Sequence, residues 1–250
     1  MPFLSQRRRQ PEWMDQPAAD ADQLRRSLSF IRRINSWLGY TRSTLWHLER
    51  FSRAWKPGER IDIIDLATGS ADIPRAILQW AHQKGFDVHL VAVDRHAVTA
   101  QAAELGPVNA RLRIVQADVF DLPFPPASFD YALTAMFLHH LDDVQAVAVM
   151  KTMNSLARRG VIVADLLRHY RAYAWISLFT ALANPMVRHD ARVSVAQSFR
   201  KEEVLKIRSA AGLDFARYYR HFGHRFVLAG EKRPIITGSL SAKEPQWPLK

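Results

Sequence analysis

From Arg60 onward the chain alternates short apolar runs with helical stretches, and this alternation restricts its fold more than any other feature. Residues 61–65, 88–93, 112–115, 131–134 and 161–164 read as strands. Residues 73–83, 96–104 and 144–156 read as the helices between them. Such a rhythm specifies a mostly parallel, doubly wound sheet, and right-handed crossovers place helices on both of its faces. A helix over 201–210 and two further strands, 215–219 and 225–229, complete a seven-stranded α/β domain over 59–232. A chain of 250 residues suffices for one such domain with decorated ends.

Upstream of the sheet, Leu24, Leu28, Ile31, Ile34 and Leu38 recur at helical spacing and stop at Gly39. A second helix over 42–55 ends at Lys56-Pro57-Gly58, so 20–58 is expected to form an N-terminal helical cap. Residues 1–19 carry three prolines and the run Arg7-Arg8-Arg9 with no hydrophobic period, which predicts a flexible arm. The apolar and aromatic stretch 170–187 follows the fifth strand. It reads as a helical segment ended near Asn184-Pro185, within an insert over 170–200. Residues 233–250, punctuated by Pro234, Gly238, Pro245 and Pro248, are expected to be a loose tail.

Composition narrows the chemistry. With no cysteine, disulfides, thiolate nucleophiles and iron–sulfur clusters are excluded. No window of about 18 uninterrupted apolar residues occurs, so no membrane span is expected. The arginine run is followed by polar residues instead of an apolar core, so no secretory signal is read and a cytoplasmic location is expected. The net charge of +11 makes an anionic partner such as nucleic acid conceivable. Its arginines fall mainly on helix faces, however, where a solvated basic surface is the favoured reading.

The strongest local signal is the segment 61–74, in which a strand runs into the turn Ala67-Thr68-Gly69-Ser70-Ala71 and then a helix with Pro74 in its first turn. Small residues let a ligand approach the backbone, and in an open parallel sheet this turn lies at the carboxyl edge, where ligands bind. The dinucleotide pattern G-x-G-x-x-G is absent. The segment from Asp65 to Ala71 instead resembles motif I of the class I S-adenosylmethionine-dependent methyltransferases, written D-x-G-x-G-x-G, with alanine replacing glycine at Ala67 and Ala71. An alanine methyl fits at both positions if φ stays below zero.

The resemblance implies a Rossmann-like fold with S-adenosylmethionine as donor and S-adenosylhomocysteine as product. It assigns Asp65, Ala67, Thr68 and Gly69 to the donor. Asp94, ending the second strand next to Arg95, would accept the ribose hydroxyls, and Asp118 with Val119 would meet the adenine. Taken singly, each of these acids is as readily a helix N-cap. The segment Leu122-Pro123-Phe124 with Ser128-Phe129-Asp130-Tyr131 also resembles the family's approach to its fourth strand.

Past that strand stands Met136-Phe137-Leu138-His139-His140-Leu141-Asp142, and Asp165 ends the fifth. A hydroxyl acceptor profits from a general base near neutral pH. The arrangement is similar to natural-product sugar O-methyltransferases, which implies His139 as base and Asp165 as its partner, with His140 able to take either role or stack on the donor. Alternatively His139 caps a helix or packs beneath the rim. Trp175, Phe179 and Met186 could bind an apolar acceptor whose polar end meets Arg188 and His189, although a salt-bridged turn is the favoured reading of 188–194. No metal is expected, because magnesium-using relatives carry an Asp-Asn pair where this chain has Asp165-Leu166.

These readings point to O-methylation of a small, largely apolar or aromatic acceptor. The alternatives are a C-methyltransferase of a quinone or polyketide type, an RNA-modifying enzyme and a non-catalytic binding module. Nothing in the sequence indicates an oligomeric state.

Overall fold

In the computed structural model of the chain, residues 4–13, 39–97 and 109–232 are described. The helix expected over 24–38, most of that over 96–104 and the tail over 233–250 lie outside these residues.

The sheet comprises β1 (Arg60–Leu66), β2 (Asp87–Asp94), β3 (Leu112–Gln116), β4 (Phe129–Ala135), β5 (Ala157–Leu166), β6 (Arg217–His221) and β7 (Arg225–Glu231). Their order is β3-β2-β1-β4-β5-β7-β6, with β7 antiparallel to both of its neighbours and every other pairing parallel. This is the doubly wound α/β sheet expected from the sequence, and each expected strand is present.

Alternate residues of the strands supply two cores. Ile64, Leu66, Val161, Val163, Phe226 and Leu228 pack on α3 (Asp143–Leu156) and α6 (Lys201–Ala210). Ile61, Ile63, Leu133, Ile162, Val227 and Ala229 face the other way, onto α1 (Tyr40–Phe51) and α2 (Asp72–Lys84). The second upstream helix therefore fills a face of the sheet: Tyr40, Leu48 and Phe51 of α1 are buried, and Phe51 stacks on Tyr131 with ring centroids 5.4 Å apart. Among the described residues no helix is long and apolar enough to cross a membrane.

Two expectations at the flanks are corrected. The stretch after β5 holds two helices, α4 (Tyr170–Phe179) and α5 (Pro185–Gln197), where one was expected. Asn184 starts α5 instead of ending a helix. Its side chain accepts the Val187 N–H at 2.9 Å, and Pro185 occupies the first position, where a missing N–H costs nothing. Residues 188–194 are accordingly helical and not a turn.

The described part of the N-terminal arm, 4–13, is packed against the domain, not free of it. Leu4 and Glu12 are buried, and the Arg7 guanidinium lies 3.6 Å over the Phe199 ring while donating to the carbonyls of His139, Leu141 and Gln197. Composition predicted looseness because none of these partners is local in sequence.

Candidate functional site

At the carboxyl edge of β1, three hydrogen bonds tie the turn into α2 to residues of β1 and β2. The Thr68 N–H donates to Val93 O at 2.9 Å, the Gly69 N–H to Asp94 Oδ2 at 2.9 Å, and Thr68 Oγ1–H to Asp65 Oδ2 at 2.6 Å. These bonds hold a left-handed backbone, with φ of 56° at Ala67, 58° at Gly69 and 57° at Ala71. The expectation that the alanines keep φ below zero is therefore overturned. Two alanines adopt a conformation that glycine takes without cost, and the surrounding bonds hold the strain in place.

Two carboxylates at the ends of β1 and β2 are buried against this turn. Asp65 Oδ1 has no hydrogen-bond partner, and burial pushes its pKa up to about 7, the Thr68 hydroxyl opposing and the nearby Asp94 and Asp72 adding to the rise. Asp94 accepts the N–H groups of Gly69 and His96, one on each oxygen. Burial raises its pKa as well, against those two bonds. Farther along the rim, Asp118 is half-buried and accepts the Phe120 N–H at 3.0 Å, Val119 is buried, and Arg95 is exposed.

The ends of β4 and β5 lie side by side, Ala135 opposite Ala164. Just past β4, Leu138–His140 form a single 3-10 turn that brings His139 over Asp165. Imidazole Nδ1 lies 2.7 Å from Asp165 Oδ1, and the His139 N–H donates to Oδ2 at 2.9 Å. Because a carboxylate only accepts, Nδ1 carries the proton of this bond, leaving Nε2 to face elsewhere. Both groups are almost fully buried, His139 at 2% and Asp165 at 1% exposure. His140 is half-buried, its ring centroid 4.3 Å from that of His139.

The residues expected around an acceptor are more scattered. Trp175 and Phe179 stack at 4.9 Å on the exposed side of α4, while Met186 is buried and Arg188 is exposed. His189 is engaged by Asp190 at 2.9 Å and stacks on Trp13 at 4.2 Å.

Glu12 escaped sequence reasoning. Its Oε1 lies 3.7 Å from His139 Nε2 and accepts from Ser194 Oγ and Gln197 Nε2. A glutamate in a proline-bearing polar arm carries no local signal of burial. Arg225, opening β7, was also missed; its guanidinium lies 3.9 Å over the buried Tyr40 ring.

A family model described as "Methyltransferase domain" matches residues 63–160, which span β1 to β5. The ubiquinone/menaquinone biosynthesis C-methyltransferase of Rickettsia bellii is 26% identical over 129 residues, covering 48% of this chain and 51% of that protein. The chain thus spans about half the length of this relative. The 2-phytyl-1,4-naphtoquinone methyltransferase of Synechococcus elongatus is 24% identical over 204 residues, covering 74% of this chain and 84% of its own. In three dimensions the chain resembles human N-acetylserotonin methyltransferase in complex with its donor, with TM-score 0.60 and 14% identity, covering 92% of this chain and 64% of that one.

Proposed function

We propose that this chain is a class I S-adenosylmethionine-dependent methyltransferase that methylates a small, largely apolar or aromatic acceptor at a hydroxyl oxygen. The observation that carries this reading is the buried His139–Asp165 pair at the adjacent ends of β4 and β5.

The residues at the β1 and β2 edges fit the donor chemically. The unpartnered Asp65 Oδ1 suits an ammonium group, Asp94 keeps lone pairs for a diol, and the left-handed turn at 67–71 brings backbone close to a ligand. Thr68 and Gly69 shape that turn, while Asp118, Val119 and Arg95 line its continuation along the rim. When bound, S-adenosylmethionine supplies an electrophilic methyl on a sulfonium, displaced in line.

His139 takes the acceptor's hydroxyl proton on Nε2 as the new carbon–oxygen bond forms, and Asp165 holds the imidazole in the required tautomer and steadies its positive charge. Glu12 must yield its place beside Nε2 to the acceptor hydroxyl. The exposed Trp175–Phe179 stack supports an apolar acceptor entering past α4.

Replacing His139 with Ala is expected to lower turnover by about 10²- to 10⁴-fold while calorimetric affinity for S-adenosylhomocysteine is kept. Replacing Asp94 with Ala is expected to abolish that affinity. Unchanged turnover in the first variant removes the base, and binding of neither donor nor product to the wild type removes the enzyme.

A second reading, methylation of a ring carbon, is favoured by the names of the Rickettsia bellii and Synechococcus elongatus relatives. His139 then deprotonates a ring hydroxyl to activate the neighbouring carbon. NMR of the product formed from a hydroxylated quinone or phenol distinguishes an O-methyl from a C-methyl group.

A further inference from the structure

A cleft of about 630 Å³ opens past the carboxyl end of β5, between the start of α6 and the β6–β7 hairpin. None of its lining residues belongs to the turn at 67–71 or to the His139–Asp165 pair. Four cations stand in its wall, Arg168, Arg200, Lys201 and Arg220, against the single carboxylate of Glu202. From this arrangement we infer a second ligand site, which takes the phosphate group of a small aromatic phosphate ester.

Charge balance is the first argument. Arg168 is 4% exposed and donates to the Ser198 carbonyl at 2.7 Å and to Glu203 at 2.6 Å, so its charge is met within the protein. Arg200 donates to the Leu4 carbonyl at 2.8 Å, which does not neutralise it. Lys201 and Arg220 form no ion pair among the described residues, and the Lys201 ammonium lies 5.5 Å from the centre of the Tyr218 ring. Set against Glu202, these three cations leave an excess that suits a phosphate monoester, which carries about −1.5 to −2 charges at neutral pH. A cleft walled by one sign of charge focuses its field on such an anion. Two histidines of the wall sense that field. Burial, then Arg220, Arg171 and Arg200, lowers the pKa of His169; burial, then His169, Arg220 and Arg171, lowers that of His224.

The chemistry of the wall matches the same ligand. Arg168 Nε and His224 Nδ1 are buried without a hydrogen-bond partner, and a buried donor is costly until an acceptor reaches it. Arg200 and Arg220 are exposed, and an arginine fork fits two phosphate oxygens at once. Aromatic surface adjoins the cations. Tyr170 and Tyr218 line the cleft, and the rings of His169 and His224 stack with centroids 4.5 Å apart and planes within 11°. A ring esterified to the phosphate has these faces to pack on. A carboxylate brings only one charge, too little to balance the wall.

Calorimetric titration of the full chain tests the site with phenyl phosphate, inorganic phosphate and benzoate at slightly alkaline pH. Phenyl phosphate is expected to bind once per chain, about tenfold tighter than either of the others. Lys201→Gln and Arg220→Gln should each weaken it about tenfold, while Arg113→Gln, on β3 at the opposite edge of the sheet, leaves it unchanged. Absence of saturable binding, or equal weakening by all three variants, overturns the site; the latter would mark general attraction to a basic surface. Equal affinity for the two phosphates would leave a free-phosphate site and overturn the aromatic ester, and tighter binding of benzoate would overturn the phosphate. Competition by S-adenosylhomocysteine would place the phosphate at the donor turn instead. The inference does not rest on methyl transfer. Failure of S-adenosylhomocysteine to bind removes the donor reading and leaves the phosphate result standing.

Discussion

Asp65 shows how a single buried group couples the candidate site to stability. Its folded pKa of about 7 stands far above that of an exposed carboxyl, with burial as the main cause. The stability associated with this raised pKa is present below about pH 4 and is lost as pH rises toward 7. His47 contributes the opposite slope. Burial, reinforced by His221, lowers its pKa to about 3, so its contribution is lost as pH falls from about 6.5 toward 3. Comparing variants cancels the histidine. Relative to the wild type, Asp65→Asn is expected to gain a few kcal/mol in urea unfolding between pH 4 and 7, roughly 1.4 kcal/mol per unit of pKa shift, then level off. Parallel pH profiles would show that Asp65 is not held neutral. The same residue was legible in the sequence as part of motif I; its lack of a second partner was not, because that depends on what β2 and α2 place around it.

At the scale of elements, the alternation of periods located all seven strands, yet the edges of the sheet depend on contacts between distant segments. β5 and β7 approach so closely that a Cβ at Gly160 would lie 2.5 Å from the Gly230 carbonyl oxygen. Backbone cannot retreat as a flexible side chain does. Gly160→Ala is therefore expected to cost about 2 kcal/mol in the urea midpoint, with the far-ultraviolet spectrum unchanged. A neutral substitution would mean that β7 pairs more loosely than its register indicates. The insert after β5 shows a different limit. Its apolar content predicted helix correctly, but Asn-Pro marks a start as readily as a stop, and the capping bond to Val187 decides between them.

Across the whole molecule, the N-terminal segment carries a consequence for stability as well as for the site. Arg7 joins the 3-10 turn, α5 and Phe199 through side-chain bonds to distant carbonyls. Arg7→Ala is expected to speed chymotryptic cleavage after Trp13 about tenfold, as the loss of charged hydrogen bonds raises the open population. An unchanged rate would mean that Glu12 and Trp13 anchor the segment without it. The sequence by itself determined the sheet, its helices on both faces and the small-residue turn after the first strand, and it placed the segment carrying His139 and His140 beside Asp165, because each rests on local periodicity or on strand ends that topology brings together. Only the tertiary structure decided that two alanines adopt left-handed backbone, that His189 is taken by Trp13 and Asp190, and that Glu12 closes over the His139 imidazole. The physical reason is range: hydrogen bonds and burial between residues more than a hundred positions apart leave no trace in either one's neighbourhood.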